Sequence, residues 1–127
     1  MTQIRAKLMD YWSPDIVDLR NPGIAEDEPF IVLFQAEFGV EGEVGQDTFN
    51  FTICNPQWIS AHIGDGILVG RHYLIVAKFD LDEIVRFLER TGKECTGADW
   101  TEVATKLARF GHWEFEDYQE APDPRAG

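Results

Sequence analysis

Proton transfer near neutral pH would fall first to histidine, and the chain has three, His62, His72 and His112. His62 follows Trp58 and Ile59 at helical spacing, which predicts a partly buried, hydrogen-bonded ring rather than a ligand. His72 opens a strand after Gly70-Arg71, where turn packing explains it equally well. No H-x-x-x-H or H-E-x-x-H spacing is present, so a metal site would have to gather ligands from distant segments, and neither metal nor cofactor is expected. Ser13 and Ser60 are the only serines, neither lies in a G-x-S-x-G elbow, and Ser13 reads as a helix cap. A cysteine nucleophile needs cationic, accessible surroundings. Cys54 ends a strand and Cys95 adjoins Glu94, so both read as reduced, buried thiols, with one disulfide left open. Gly64-x-Gly66-x-x-x-Gly70 fails as a phosphate loop because its helix precedes its strand and Asp65 would repel phosphate. No catalytic residue is therefore assigned. His72 or His112 with nearby carboxylates leaves open a small hydrolase or transferase, which would require a deep pocket holding a histidine and two acids.

Carboxylates are the more informative group. The chain carries 23 acidic against 11 basic residues, a formal charge of −12, which argues against a nucleic-acid backbone or an anionic membrane as partner and favours a cationic protein or plain solubility. Nine acids fall between Ser13 and Asn50 (Asp15, Asp18, Glu26, Asp27, Glu28, Glu37, Glu41, Glu43 and Asp47) against Arg20 alone. A second concentration interleaves with aromatics in Gly111-His112-Trp113-Glu114-Phe115-Glu116-Asp117-Tyr118. Its alternation predicts a strand with Trp113 and Phe115 toward the core and Glu114 and Glu116 outward. Charges on separate loops act together only within roughly 8 Å at physiological salt. If the fold gathers them, Glu26, Asp27, Glu28, Glu41, Glu43, Glu114, Glu116 and Asp117, with Tyr118 as an aromatic anchor, form the expected partner-binding surface.

The elements that must position these residues can be read from period and punctuation. The 127 residues fit one domain, assigned to 1–120, with 121–127 as a loose Pro-rich tail. Ile4 to Met9 alternates as an opening strand, and Ser13-Pro14-Asp15 followed by Ile16, Val17 and Leu19 predicts one helical turn. Phe30 to Phe38 is the clearest strand, with Phe30, Val32, Phe34, Ala36 and Phe38 on one face. A glycine-rich hairpin at 39–45 returns through Thr48 to Cys54. Asn55-Pro56 starts a short helix that Gly64 ends, and His72 to Phe79 reads as another strand. Asp80 with Glu83 and Asp99 with Glu102 are capping boxes for two final helices, closed by Gly92 and Gly111. The order is α+β: a mostly antiparallel sheet of four to five strands with helices packed on one face. No signal peptide or apolar membrane span is read, so a soluble, cytoplasmic chain is expected, its oligomeric state open.

These pieces together resemble the immunity protein 8 family of bacterial polymorphic toxin systems. The likeness runs through Ser13-Pro14-Asp15, then Phe49-x-Phe51-x-Ile53-Cys54-x-Pro56-x-Trp58, His72-Tyr73-Leu74-Ile75-Val76 and Asp80-Leu81-Asp82-Glu83-Ile84. It closes with Trp100-x-x-Val103-Ala104-x-x-Leu107 and the Gly111 to Tyr118 segment. The resemblance implies a non-enzymatic cytoplasmic α+β protein that blocks a cognate toxin domain. It carries no catalytic residues to transfer. A nucleic-acid-degrading toxin needs a basic cleft, which an acidic inhibitor can fill as a phosphate mimic, so a basic nuclease is the expected partner. A scaffold or oligomerisation module without a toxin is the remaining reading.

Overall fold

The computed structural model describes residues 3–116. In chain order the elements are β1 (Ile4–Trp12), β2 (Ile31–Val40), β3 (Asp47–Cys54), α1 (Pro56–Ile63), β4 (Tyr73–Ile75), α2 (Leu81–Glu94), β5 (Thr96–Gly97), α3 (Trp100–Leu107) and β6 (His112–Trp113). The sheet order is β4-β3-β2-β1-β5, with β6 beside β3. The outer edge of β3 is thus shared by two short strands. β6 pairs antiparallel with Phe49 and Asn50, and β4 pairs parallel with Thr52, Ile53 and Cys54. The α+β class holds, and the sheet is mixed because of that single parallel pair.

Period-two alternation builds the centre. Val32, Phe34, Ala36 and Phe38 of β2 and Phe49, Phe51 and Ile53 of β3 bury one face. Leu81, Ile84 and Leu88 of α2 and Val103, Ala104 and Leu107 of α3 cover it to form one core. Side chains one residue out of phase stay partly wet. Asn55 caps α1 by accepting from the Trp58 amide at 3.0 Å, and Gly64 ends that helix at φ 54°. Asp80 and Asp99 accept from the Glu83 and Glu102 amides at 3.2 and 2.9 Å, as the capping boxes predict.

Several expectations are corrected. β1 continues to Trp12 through a bulge at Met9, since Leu8 pairs with Phe38 and Asp10 with Glu37. The extra residue reverses the face parity, so Tyr11 follows Ile4, Ala6 and Leu8 toward the core and stacks on Phe34 at 5.9 Å. No helical turn forms after Ser13. Its hydroxyl donates to the Leu33 carbonyl at 2.5 Å and Asp15 accepts from the Leu33 amide at 2.7 Å, so two side chains replace backbone partners that β1 no longer supplies. The strand expected from His72 to Phe79 is only Tyr73–Ile75.

Both expected helix-stop glycines serve close approach instead. α2 runs past Gly92 to Glu94; a Cβ at Gly92 would sit 3.0 Å from the Phe38 ring and 3.1 Å from the Ala6 carbonyl oxygen. At Gly111 a Cβ would fall 2.6 Å from the Phe51 ring. The strand predicted across Trp113 to Glu116 is reduced to His112–Trp113, because Glu116 turns back with its amide on the Trp113 carbonyl at 2.8 Å. Trp113 does face inward, stacked on Phe49, but Phe115 is 44% exposed and packs edge-on against Trp113. The C-terminal tail at 121–127 lies outside the described residues.

Candidate functional site

The carboxylates divide between two ends of the sheet and one flank. Glu41 and Glu43 occupy the β2–β3 turn, exposed, with the Glu43 amide bonded to the Val40 carbonyl at 3.0 Å. Glu114 stands at the same end, locked to the start of β3: its amide donates to the Thr48 carbonyl at 3.1 Å and its carboxylate accepts from the Thr48 amide at 2.9 Å. Asp47 accepts from the indoles of both Trp100 and Trp113, at 2.7 and 3.0 Å. Its charge holds β3, α3 and β6 together. Glu37 is bonded to Gln46.

Glu26, Asp27 and Glu28 lie at the opposite end, just before β2 begins, in a tight turn where Asp27 takes φ 64°. Aspartate tolerates this left-handed region better than most residues. The turn is tied down by Asn55, only 2% exposed. Its amide group donates to the Glu28 carbonyl at 2.8 Å, while its oxygen accepts from the Phe30 amide at 3.1 Å and from the Trp58 amide. The sequence marks Asn55 as a helix cap through Pro56. The long-range bonds that make it the anchor of the acidic turn have no local signature. Ten residues of β2 separate the two ends, roughly 30 Å of strand. The expected surface is therefore not one patch: Glu26, Asp27 and Glu28 are several Debye lengths from Glu41, Glu43 and Glu114.

Glu116 belongs to neither end. Its side chain, 11% exposed, meets Arg71 at 2.8 Å, His72 Nε2 at 3.5 Å and His112 Nε2 at 3.9 Å. Asp117 and Tyr118 lie outside the described residues. Among the described residues the cluster brings together the two histidines that the enzyme alternative would use and one carboxylate, Glu116. A carbonyl oxygen can only accept, so the 2.8 Å contact to Ala108 fixes the proton on His72 Nε2. That nitrogen is thereby unavailable as base or metal ligand, and Arg71 neutralises the acid. His72 itself sits at φ 65°, held by the Tyr73 and Thr52 backbone bonds on either side of it. Arg71 was not expected here, since only the pairing of β4 and β6 along one strand brings it beside Glu116. His62 is exposed, stacked on Trp58 at 4.4 Å, with Nδ1 at 2.9 Å from the Trp58 carbonyl.

Burial pushes both thiols above their ordinary value of 9.0. For Cys95, Arg109 and Lys106 oppose that shift and Glu94 adds to it, so the neighbouring acid noted in the sequence is a minor cause. Asn21, then the Arg20 amide, hydrogen-bonds Asp18 and holds that carboxyl below 3.8. Among the described residues no helix is long and apolar enough to cross a membrane.

The described residues thus present two acidic ends and a clamped flank. A family model, Immunity protein 8, matches residues 6–118. The chain belongs to the Immunity protein 8 family. The matched span runs from within β1 through β6 and includes the Gly111 to Tyr118 segment. No curated protein and no solved structure is significantly similar to this Immunity protein 8 chain.

Proposed function

We propose that this chain is the immunity partner of a toxin domain in a polymorphic toxin system, acting in the cytoplasm of the producing cell. It neutralises that domain, a basic nuclease, by occluding its cleft with carboxylates that stand in for phosphates. The observation that carries the reading is family membership over nearly the whole chain, joined to exposed acids without partners among the described residues: Glu26, Asp27, Glu41 and Glu43 make no side-chain hydrogen bond or ion pair. Such charges keep their field for an incoming cation, and interfacial pairs of this kind act mainly on association rate and specificity. Glu28, Glu114, Glu116, Asp117 and Tyr118 complete the proposed contact set. Glu28 and Glu114 also stabilise their own loops, through the Ala25 and Thr48 amides.

The test is co-expression with the toxin domain encoded beside this chain, followed by co-purification and a survival assay. Survival with the wild type and toxicity with an empty vector are expected. Reversing Glu26, Glu41 and Glu43 together to Lys should slow association and flatten its salt dependence. Unchanged protection by that variant would remove charge complementarity, and failure of the wild type to protect would remove the immunity reading itself.

A further inference from the structure

The two acidic ends differ in what lies beside them. Next to Glu26 and Asp27 the strand β4 and the first turns of α2 diverge and leave a groove of about 510 Å³. Leu74, Val76, Ile84 and Phe87 give it apolar walls. Glu26, Asp27, Asp80 and Glu83 supply four carboxylates along it, against the single ammonium of Lys78. A second hollow of about 270 Å³ continues behind the same turn and shares Glu26, Asp27, Ala77 and Lys78 with the first.

The backbone of this wall is also open. In the parallel ladder the Thr52 amide bonds the His72 carbonyl and the Val76 amide bonds the Cys54 carbonyl, so His72 and Val76 face β3. By alternation the N–H and C=O of Ile75 face away from it. β4 ends the sheet order, and the Ile75 side chain is 56% exposed. An unpaired strand edge beside an apolar groove accepts an extended chain, while the side-chain pockets set its identity.

We propose that this groove is the primary docking site for the partner, and that its occupant is an extended segment carrying lysine or arginine together with an apolar side chain. The apolar side chain fills the space between Leu74 and Phe87, the cations meet Glu26 and Glu83, and the backbone pairs with Ile75. The hairpin end, with Glu41 and Glu43 exposed, contributes long-range attraction. Naming the occupant as part of a toxin domain rests on the immunity reading; the groove's preference for a basic extended chain does not.

Two measurements separate these. In the first, the isotopically labelled full chain is titrated with a blocked seven-residue peptide of alternating lysine and valine, and with its glutamate–valine counterpart as control. Saturable amide shifts confined to 74–78, 80–87 and Glu26–Asp27 are expected with the lysine peptide only. The E26K/E83K pair should weaken binding at least fivefold and E41K/E43K less than twofold. In the second, the neighbouring toxin domain replaces the peptide, and E26K/E83K should lower affinity at least tenfold, more than E41K/E43K. Because Lys at position 83 enters the first turn of α2, the E26Q/E83Q pair is run beside it, with melting temperatures to confirm the fold. Shifts spread over the hairpin, no saturable shifts, or a toxin affinity that follows the hairpin pair instead would each overturn the groove. If no toxin domain binds the wild type, the immunity reading falls and the peptide titration alone decides the groove.

Discussion

At the hairpin end of the sheet, the acids on and beside the strands are committed to the fold, while Glu41 and Glu43 in the turn are not: Asp47 receives two indole N–H groups, Glu114 receives the Thr48 amide, and Glu37 is held by Gln46. At the other end, the roles are reversed. The backbone of the acidic turn is held by a neutral residue, Asn55, and the side chains of Glu26 and Asp27 are left for solvent or a partner. Beside this second end lies an apolar groove. A carboxylate's value to a partner is thus set by what it already binds, and counting acids along the chain overstates the surface available.

The comparison can be broken by measurement. The largest effect is expected on the flank between the ends, where Gly111→Ala would drive a methyl into the Phe51 ring. Overpacking of this kind should lower stability by about 3 kcal/mol, read as a fall in the urea midpoint. Asp47→Ala leaves two indole donors without their acceptor and should cost about 2 kcal/mol, whereas Glu26→Ala should change stability by less than about 0.5 kcal/mol. Equal losses for those two variants would erase the distinction between the ends. Arg71→Ala removes a partner that is itself 61% exposed, so a loss of about 1 kcal/mol or less is expected, fading as salt is raised.

The smallest effect concerns the thiols. Because burial raises Cys54 and Cys95 above 9.0, the folded state favours their protonated forms. Their contribution to stability is complete below that value and is lost as pH rises through the still higher folded values. Native protein should therefore react slowly with a thiol reagent at pH 8 and yield both cysteines only after unfolding. Fast labelling of either one in the native state would contradict its burial.

Much of the architecture was legible because it is local. The alternation in β2 and β3 names their core faces, and Asn55, Pro56 and Gly64 bound α1 to the residue. What escaped has a nonlocal cause. The bulge at Met9 interrupts the period that defines a strand, so β1 reads three residues short. Ser13 and Asp15 look like a helix start because their side chains can cap amides, and the amide and carbonyl they meet belong to Leu33. Gly92 and Gly111 carry the composition of helix stops, while their missing side chains make room for Phe38 and Phe51.

The candidate surface divides the same way. Residue types, period and capping chemistry establish the acidic character and the α+β class, since each depends on neighbours a few positions apart; the family rests on the match of its model to residues 6–118. Which carboxylates remain free is a matter of tertiary partners. Glu116 meets Arg71 and Asp47 meets two tryptophans only once β3, β4, β6 and α3 converge. Pairing between residues dozens of positions apart leaves no period in the chain, and it is that pairing which committed Asp47, Glu114 and Glu116 to the fold and left Glu26, Asp27, Glu41 and Glu43 open.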